Sequence, residues 1–160
     1  MKEVRFLRPL RVVDKGPPDA NGRTPADVVM DYLASVHDWE IRSSRSFDAQ
    51  HDDAGRVAVV DPIKAEKAAI LQRLATPRGA ATNTTVAFGT PATRDPMKTR
   101  LLSVETGKRD RALVVTEERS GPLPWEKQRY EYALQRVGGE WRINSRTSLD
   151  SDGKRIRGLL

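Results

Sequence analysis

A cluster of carboxylates around one of the two histidines has the composition of a metal site. The segment DAQHDDAG places Asp48, His51, Asp52 and Asp53 within six residues, and hard oxygen ligands of this kind can hold a divalent cation. The same composition is typical of a solvated loop, and neither histidine has another strong metal ligand at helical spacing. We therefore expect a loop here and no metal.

General acid–base catalysis would require a histidine or carboxylate in a buried pocket, because burial moves its pKa towards neutrality. His37, beside Asp38 and close to Glu40, is the histidine best placed for that role. It follows Val36 in an amphipathic segment, which favours a position at the flank of an apolar stripe with a hydrogen-bond partner. No nucleotide-binding glycine loop, P-loop, HExxH, nucleophile elbow or cysteine pair occurs. The sequence therefore predicts a protein that is not an enzyme and has no cofactor.

Trp125 is the residue most suited to binding a partner protein. It lies among Gly121, Pro122 and Pro124, and a proline-stiffened loop presents an aromatic side chain at low entropic cost. The alternative is that Trp125 folds back over the core. Three basic side chains nearby complete the predicted partner-binding set, although each also suits a solvated surface: Arg119, Lys127 and Arg129.

Charge and composition restrict the class of protein. The chain of 160 residues carries a formal charge of +6, from 28 basic and 22 acidic side chains, and has no cysteine. An excess of positive charge favours either a solvated surface or an acidic partner, and the absence of a long basic run makes nucleic acid an unlikely ligand. Without a secretory signal or a membrane-spanning segment, we expect a soluble cytoplasmic protein.

Turn-forming residues 14–25 separate a basic N-terminal arm, residues 1–23, from a single α+β domain, residues 24–160. Thr24, Pro25 and Asp27 predict the start of a first helix that reaches about Arg45. Its apolar stripe consists of Val29, Tyr32, Leu33, Val36 and Trp39. A second helix is predicted to begin at Asp61-Pro62 and to end before Pro77.

The second half of the chain alternates β-branched or aromatic residues with polar ones, which is typical of strands. Residues 76–99 are predicted to be mostly loop, with a short strand at 86–88. The first residues of the arm, which include Val4, Phe6 and Val12, are predicted to form an edge strand. Four strands are predicted at 101–105, 112–118, 128–137 and 140–146. Gly138-Gly139 suits a tight hairpin turn between the last two. The fold class is therefore α+β, with helices followed by a curved antiparallel sheet.

Several motifs together resemble the immunity proteins of bacterial polymorphic toxin systems that have a nuclear-transport-factor-two-like fold. The resemblance covers about residues 25–153. Its motifs are a Trp-Glu pair in the first helix, a Phe-Gly-x-Pro…Asp-Pro loop, and closing strands with Tyr-x-Tyr and Gly-x-Trp-x-Ile. The matching residues are Trp39, Glu40, Phe88, Gly89, Pro91, Asp95, Pro96, Tyr130, Tyr132, Gly139, Trp141 and Ile143. Arg94 departs from the pattern, because an aromatic residue usually precedes the Asp-Pro.

The resemblance implies a cone-shaped barrel that binds and neutralises a cognate toxin or effector C-terminal domain without catalysis, and a homodimer is compatible with it. Two other functions stay open at this point. One is a small-molecule isomerase- or dehydratase-like enzyme of the same fold, and the other is a basic scaffold protein, because fold alone does not choose between them.

Overall fold

The structure is a computed structural model that describes residues 13–82, 94–150 and 152–160. The predicted strands at the start of the arm and at 86–88, and the motif residues Phe88, Gly89 and Pro91, lie outside these ranges. The helices are α1 Pro25–Asp48, α2 Asp53–Leu74 and α3 Pro77–Ala80, and the strands are β1 Thr99–Gly107, β2 Arg111–Arg119, β3 Lys127–Val137, β4 Glu140–Leu149 and β5 Arg155–Gly158. Single 3-10 turns, Pro96–Lys98 and Pro124–Glu126, precede β1 and β3.

The first helix begins at the predicted cap. Thr24 Oγ1 accepts a hydrogen bond from the Asp27 N–H at 3.2 Å, and the Asp27 carboxylate accepts one from the Thr24 N–H at 2.9 Å. This reciprocal pair is a capping box, which satisfies amides that the first helical turn leaves free. The predicted apolar stripe is buried along its whole length, and the helix ends at Asp48 rather than near Arg45.

The second helix begins at Asp53, so the predicted start at Asp61-Pro62 is wrong. The Asp52 side chain caps the helix by accepting a hydrogen bond from the Gly55 N–H at 2.7 Å. Pro62 lies inside the helix, where it removes one backbone hydrogen bond. Capping at Asp52 and packing of Val59 against the core hold residues 53–61 in helical conformation despite that loss.

The five strands form one antiparallel sheet in the order β1-β2-β3-β4-β5. The four predicted strands are confirmed, and Gly138 and Gly139 adopt the positive φ angles, 60° and 82°, that the predicted hairpin turn requires. The fifth strand was not predicted, because Arg155–Gly158 has only four residues and two of them are arginines. Such residues are common on edge strands. The sheet is not closed, since β1 and β5 are its two edges.

Two irregularities in register bend the sheet. The first lies in β1, between Leu101 and Ser103. The second lies in β4, which has an additional residue opposite the step from Ala133 to Leu134 in β3. β-Bulges of this kind increase twist and bend the strand that contains them. One face of the bent sheet packs on α1, and the core includes Trp39, Tyr132 and Trp141.

Residues 17–21 of the predicted N-terminal arm pack against the β3–β4 hairpin. The Trp141 indole N–H donates to the Pro17 carbonyl at 2.9 Å, and the Trp141 backbone N–H donates to the Asp19 carboxylate at 3.0 Å. The Arg136 guanidinium lies 4.6 Å from the Trp141 ring centre and donates to the Pro18 carbonyl. This part of the arm therefore covers one end of the core.

Candidate functional site

The loop between β2 and β3 presents Trp125 on a backbone fixed by Glu126. The Glu126 carboxylate accepts a hydrogen bond from the Leu123 N–H at 2.8 Å, and its carbonyl accepts one from the Ser120 N–H at 2.8 Å. Gly121 makes this arrangement possible, because a β-carbon at that position would overlap the Glu126 carboxylate. The loop is therefore ordered before any partner binds, which lowers the entropic cost of binding.

Trp125 is 76% exposed, so it does not cover the core. Two further apolar side chains lie at the same end of the sheet, where β1 begins and β2 ends: Met97 is 91% exposed and Leu123 is 42% exposed. A groove of about 440 Å³ runs beside Met97, between the start of β1 and the end of β2. Large exposed apolar side chains grouped at one place are typical of protein-binding surfaces.

The three basic residues predicted beside Trp125 have different surroundings. Arg119 and Lys127 are exposed and form a cross-strand pair at the ends of β2 and β3. Arg129 is tied to the buried Glu117 carboxylate, with its Nε 3.5 Å from that group, and Arg100 approaches the other carboxylate oxygen at 3.2 Å. Arg129 therefore compensates a buried charge, whereas Arg119 and Lys127 are available to a partner.

A second group of polar side chains lies between the helices and the inner face of the sheet, and we call it the interior cluster. Its members come from distant parts of the chain and include three cations and two carboxylates. The interior cluster consists of Glu40 on α1, Lys67 on α2, Arg94 before β1, Glu118 on β2, Tyr130 on β3 and Arg146 on β4.

Close contacts hold the cations of the interior cluster against aromatic rings. Lys67 Nζ lies 5.3 Å from the Trp39 ring centre, and Arg94 lies 5.8 Å from the Tyr32 ring. Arg146 lies 5.1 Å from the Tyr130 ring. Arg94 Nη1 is 3.8 Å from Glu40, which is almost wholly buried. The rings stabilise the cations through their negative faces but supply no hydrogen-bond acceptors in these contacts.

Burial changes the proton affinities in the interior cluster. Burial, together with repulsion from Arg94 and Arg146, lowers the pKa of Lys67 from 10.5 to about 8, although Glu40 acts in the opposite direction. Burial also raises the pKa of Glu118, against the opposing attraction of the same two arginines. Both effects favour the neutral form of a side chain in a poorly solvated region.

The residues considered for metal binding, around His51, and for acid–base catalysis, His37, belong neither to the surface around Trp125 nor to the interior cluster. Asp52 serves as the cap of α2, and the described residues contain no set of three histidine, cysteine or acidic side chains able to hold a metal. His37 lies on α1, and its buried Nδ1 has no hydrogen-bond partner among the described residues. In the described parts of the chain, no helix is long and apolar enough to cross a membrane.

Sequence reasoning missed the interior cluster, although one signal for it was present. Lys67 occupies the same face of α2 as Ile63 and Leu71, four residues to either side, and both of these are buried. A lysine at a core-facing position indicates a buried charge with a structural or binding role. The contributions of Arg94, Glu118 and Arg146 have no comparable local signal, because the tertiary fold brings them together.

Comparisons with protein-family models, with curated proteins and with solved structures found no match.

Proposed function

We propose that this chain is an immunity protein that binds a cognate toxin or effector domain and neutralises it by occlusion, without catalysis. The observation that carries the proposal is the exposure of Trp125 on a loop that Glu126 holds in place. Tryptophan is enriched among the residues that dominate binding energy. The resemblance of the helix and strand motifs to immunity proteins supports the same function, and the order of helices before a bent sheet supports the cone-shaped fold.

The charge of the surface around Trp125 favours a particular kind of partner. Arg119 and Lys127 are exposed there, and the chain carries an overall charge of +6. Complementary fields steer association and disfavour partners of the same sign. The cognate toxin domain should therefore present a neutral or acidic surface, and not the basic cleft of an enzyme that cuts nucleic acid. A chain without cysteine is also suited to the reducing cytoplasm.

The test is to co-express the chain with the toxin domain encoded by the neighbouring gene, and to measure protection of the cell and the affinity of the purified complex. Trp125→Ala should weaken binding by about tenfold or more, because it removes a large apolar anchor. Val57→Ala is the matched control, since Val57 is 72% exposed on α2, far along the chain from the loop. The control should bind like the wild type.

Charge reversal tests the partner's sign separately. Arg119→Glu should slow association several-fold at low salt, and the difference should shrink as salt screens the surface. Lys108→Glu on the β1–β2 turn, at the opposite end of these strands, is the control with the same change of charge. Arg129 is unsuitable for this test, because a glutamate there would face the buried Glu117. A toxin domain that does not bind, or that binds the Trp125 variant with unchanged affinity, refutes the proposal.

A further inference from the structure

The interior cluster contains more positive charge than its carboxylates balance. Three cations, Lys67, Arg94 and Arg146, face two carboxylates, Glu40 and Glu118. Asp95 and Lys98 also act on Glu118, and their opposite charges leave the positive excess unchanged. Buried charges in proteins are normally paired, because the transfer of an unpaired ion out of water is costly. The excess positive charge therefore calls for a negative group that the described residues do not supply.

Lys67 shows the imbalance most directly. Lys67 is only 4% exposed, and lysine is almost never so buried without a partner. Among the described residues no carboxylate lies within ion-pair distance of it, and its close contact is the face of Trp39. The nearby charges are dominated by Arg94 and Arg146, which repel it, and Glu40 only partly offsets them.

Hydrogen-bond donors in the cluster also lack acceptors. Among the described residues, the buried Nε atoms of Arg94 and Arg146 have no hydrogen-bond partner, and neither has the buried hydroxyl of Tyr32, whose ring lies against Arg94. Buried donors are satisfied in the great majority of cases. Water can accept such hydrogen bonds but cannot balance the excess positive charge, whereas a carboxylate or phosphate does both.

The cluster is built to hold its cations in position. The Arg146 guanidinium stacks on Tyr130 and lies so close to Gly158 on β5 that a β-carbon there would be 3.2 Å from Arg146 Nε. Arg94 is held between Glu40 and the Tyr32 ring. Arg146, Glu118 and Tyr130 are half-buried rather than enclosed, so the cluster is reached from the side of the sheet where they lie.

We propose that the interior cluster is a binding site for a small anion that carries a carboxylate or a phosphate group. Lys67, Arg94 and Arg146 provide the charge, and the unpaired N–H and O–H groups provide directional hydrogen bonds. The proposal does not depend on the immunity function.

The test is calorimetric titration of the full chain with inorganic phosphate and, in a second arm, with citrate, at neutral pH and constant ionic strength set with chloride. We expect saturable binding of one anion per chain in at least one arm. Lys67→Met should weaken it at least tenfold, and Arg146→Met should do the same. Lys64→Met is the matched control, because Lys64 is exposed one turn away on α2.

Lys67→Arg keeps a positive charge at this position, so it should bind the anion more strongly than Lys67→Met does. Circular dichroism of each variant establishes that it is folded before its titration is interpreted. Binding of phosphate alone or citrate alone identifies the class of anion. Failure of both anions to bind saturably, or equal binding by folded Lys67→Met and wild type, overturns the proposal.

Discussion

Replacement of Lys67 by methionine should stabilise the protein at neutral pH in a chloride buffer. Methionine keeps an unbranched apolar stem of similar size but removes an ammonium group that is desolvated and repelled by Arg94 and Arg146. The fall of the Lys67 pKa from 10.5 to about 8 corresponds to about 3 kcal/mol, at about 1.4 kcal/mol for each pH unit. Screening by solvent that reaches the edge of the cluster reduces this to about 1–2 kcal/mol.

The direction of the pKa shift of Lys67 also determines how the stability of the wild type depends on pH. Because the folded pKa of Lys67 lies below the unfolded one, the unfolded chain binds more protons between about pH 8 and 10.5. The penalty for the wild type is therefore complete below about pH 8 and is relieved as the pH rises towards 10.5. Arg94, Arg146 and Glu40 act on Lys67 and are unchanged in the variant, so the comparison between wild type and variant isolates the lysine.

The assay is urea denaturation of the wild type and Lys67→Met, followed by circular dichroism, at pH 7 and again at pH 10. The variant should have the larger free energy of unfolding at pH 7, and the difference should be much smaller at pH 10. Lys64→Met, an exposed change on the same helix, should stay within about 0.5 kcal/mol of the wild type at both values. A variant less stable than the wild type at pH 7, or a difference that does not change with pH, refutes this account of Lys67.

Two further changes test the packing of the core. Gly79→Ala should destabilise the protein by about 1–3 kcal/mol in thermal or urea denaturation, because the added β-carbon would lie 2.5 Å from the Ile143 carbonyl oxygen. Gly107→Ala is the control, since a β-carbon there would have no neighbour closer than 4.0 Å. Equal stability of these two variants would contradict the packing of α3 on β4. Trp39→Ala should cost about 3–5 kcal/mol, since Trp39 is wholly buried and its indole N–H donates to the Ile63 carbonyl. Unchanged melting of that variant would show that the α1 stripe is not the centre of the core.

Local signals were sufficient for the parts of the fold that neighbouring residues specify. The helix start at Thr24, the apolar stripe of α1 and the positive φ angles of Gly138 and Gly139 each depend on a few adjacent positions. They were predicted correctly for that reason. The sequence also placed Trp125 in a proline-stiffened loop, but it left open whether the ring covers the core or faces solvent.

Contacts between distant parts of the chain determined the rest of the fold. The start of α2 and the pairing of β5 depend on packing and on a free strand edge, so the local signals at Asp61-Pro62 and Arg155–Gly158 were misleading or weak. The loop of Trp125 is fixed by Glu126, and the ring faces solvent.

The interior cluster shows the division most clearly. In the sequence its side chains are separate polar residues on two helices, a loop and three strands, and only Lys67, four residues from both Ile63 and Leu71, has a local signal of burial. Only the packing of α1 and α2 against the bent sheet removes them from water and brings them near one another. Their charge and chemistry come from the sequence, whereas their burial and their mutual repulsion come from the tertiary structure, because desolvation and Coulomb energies depend on distance in space.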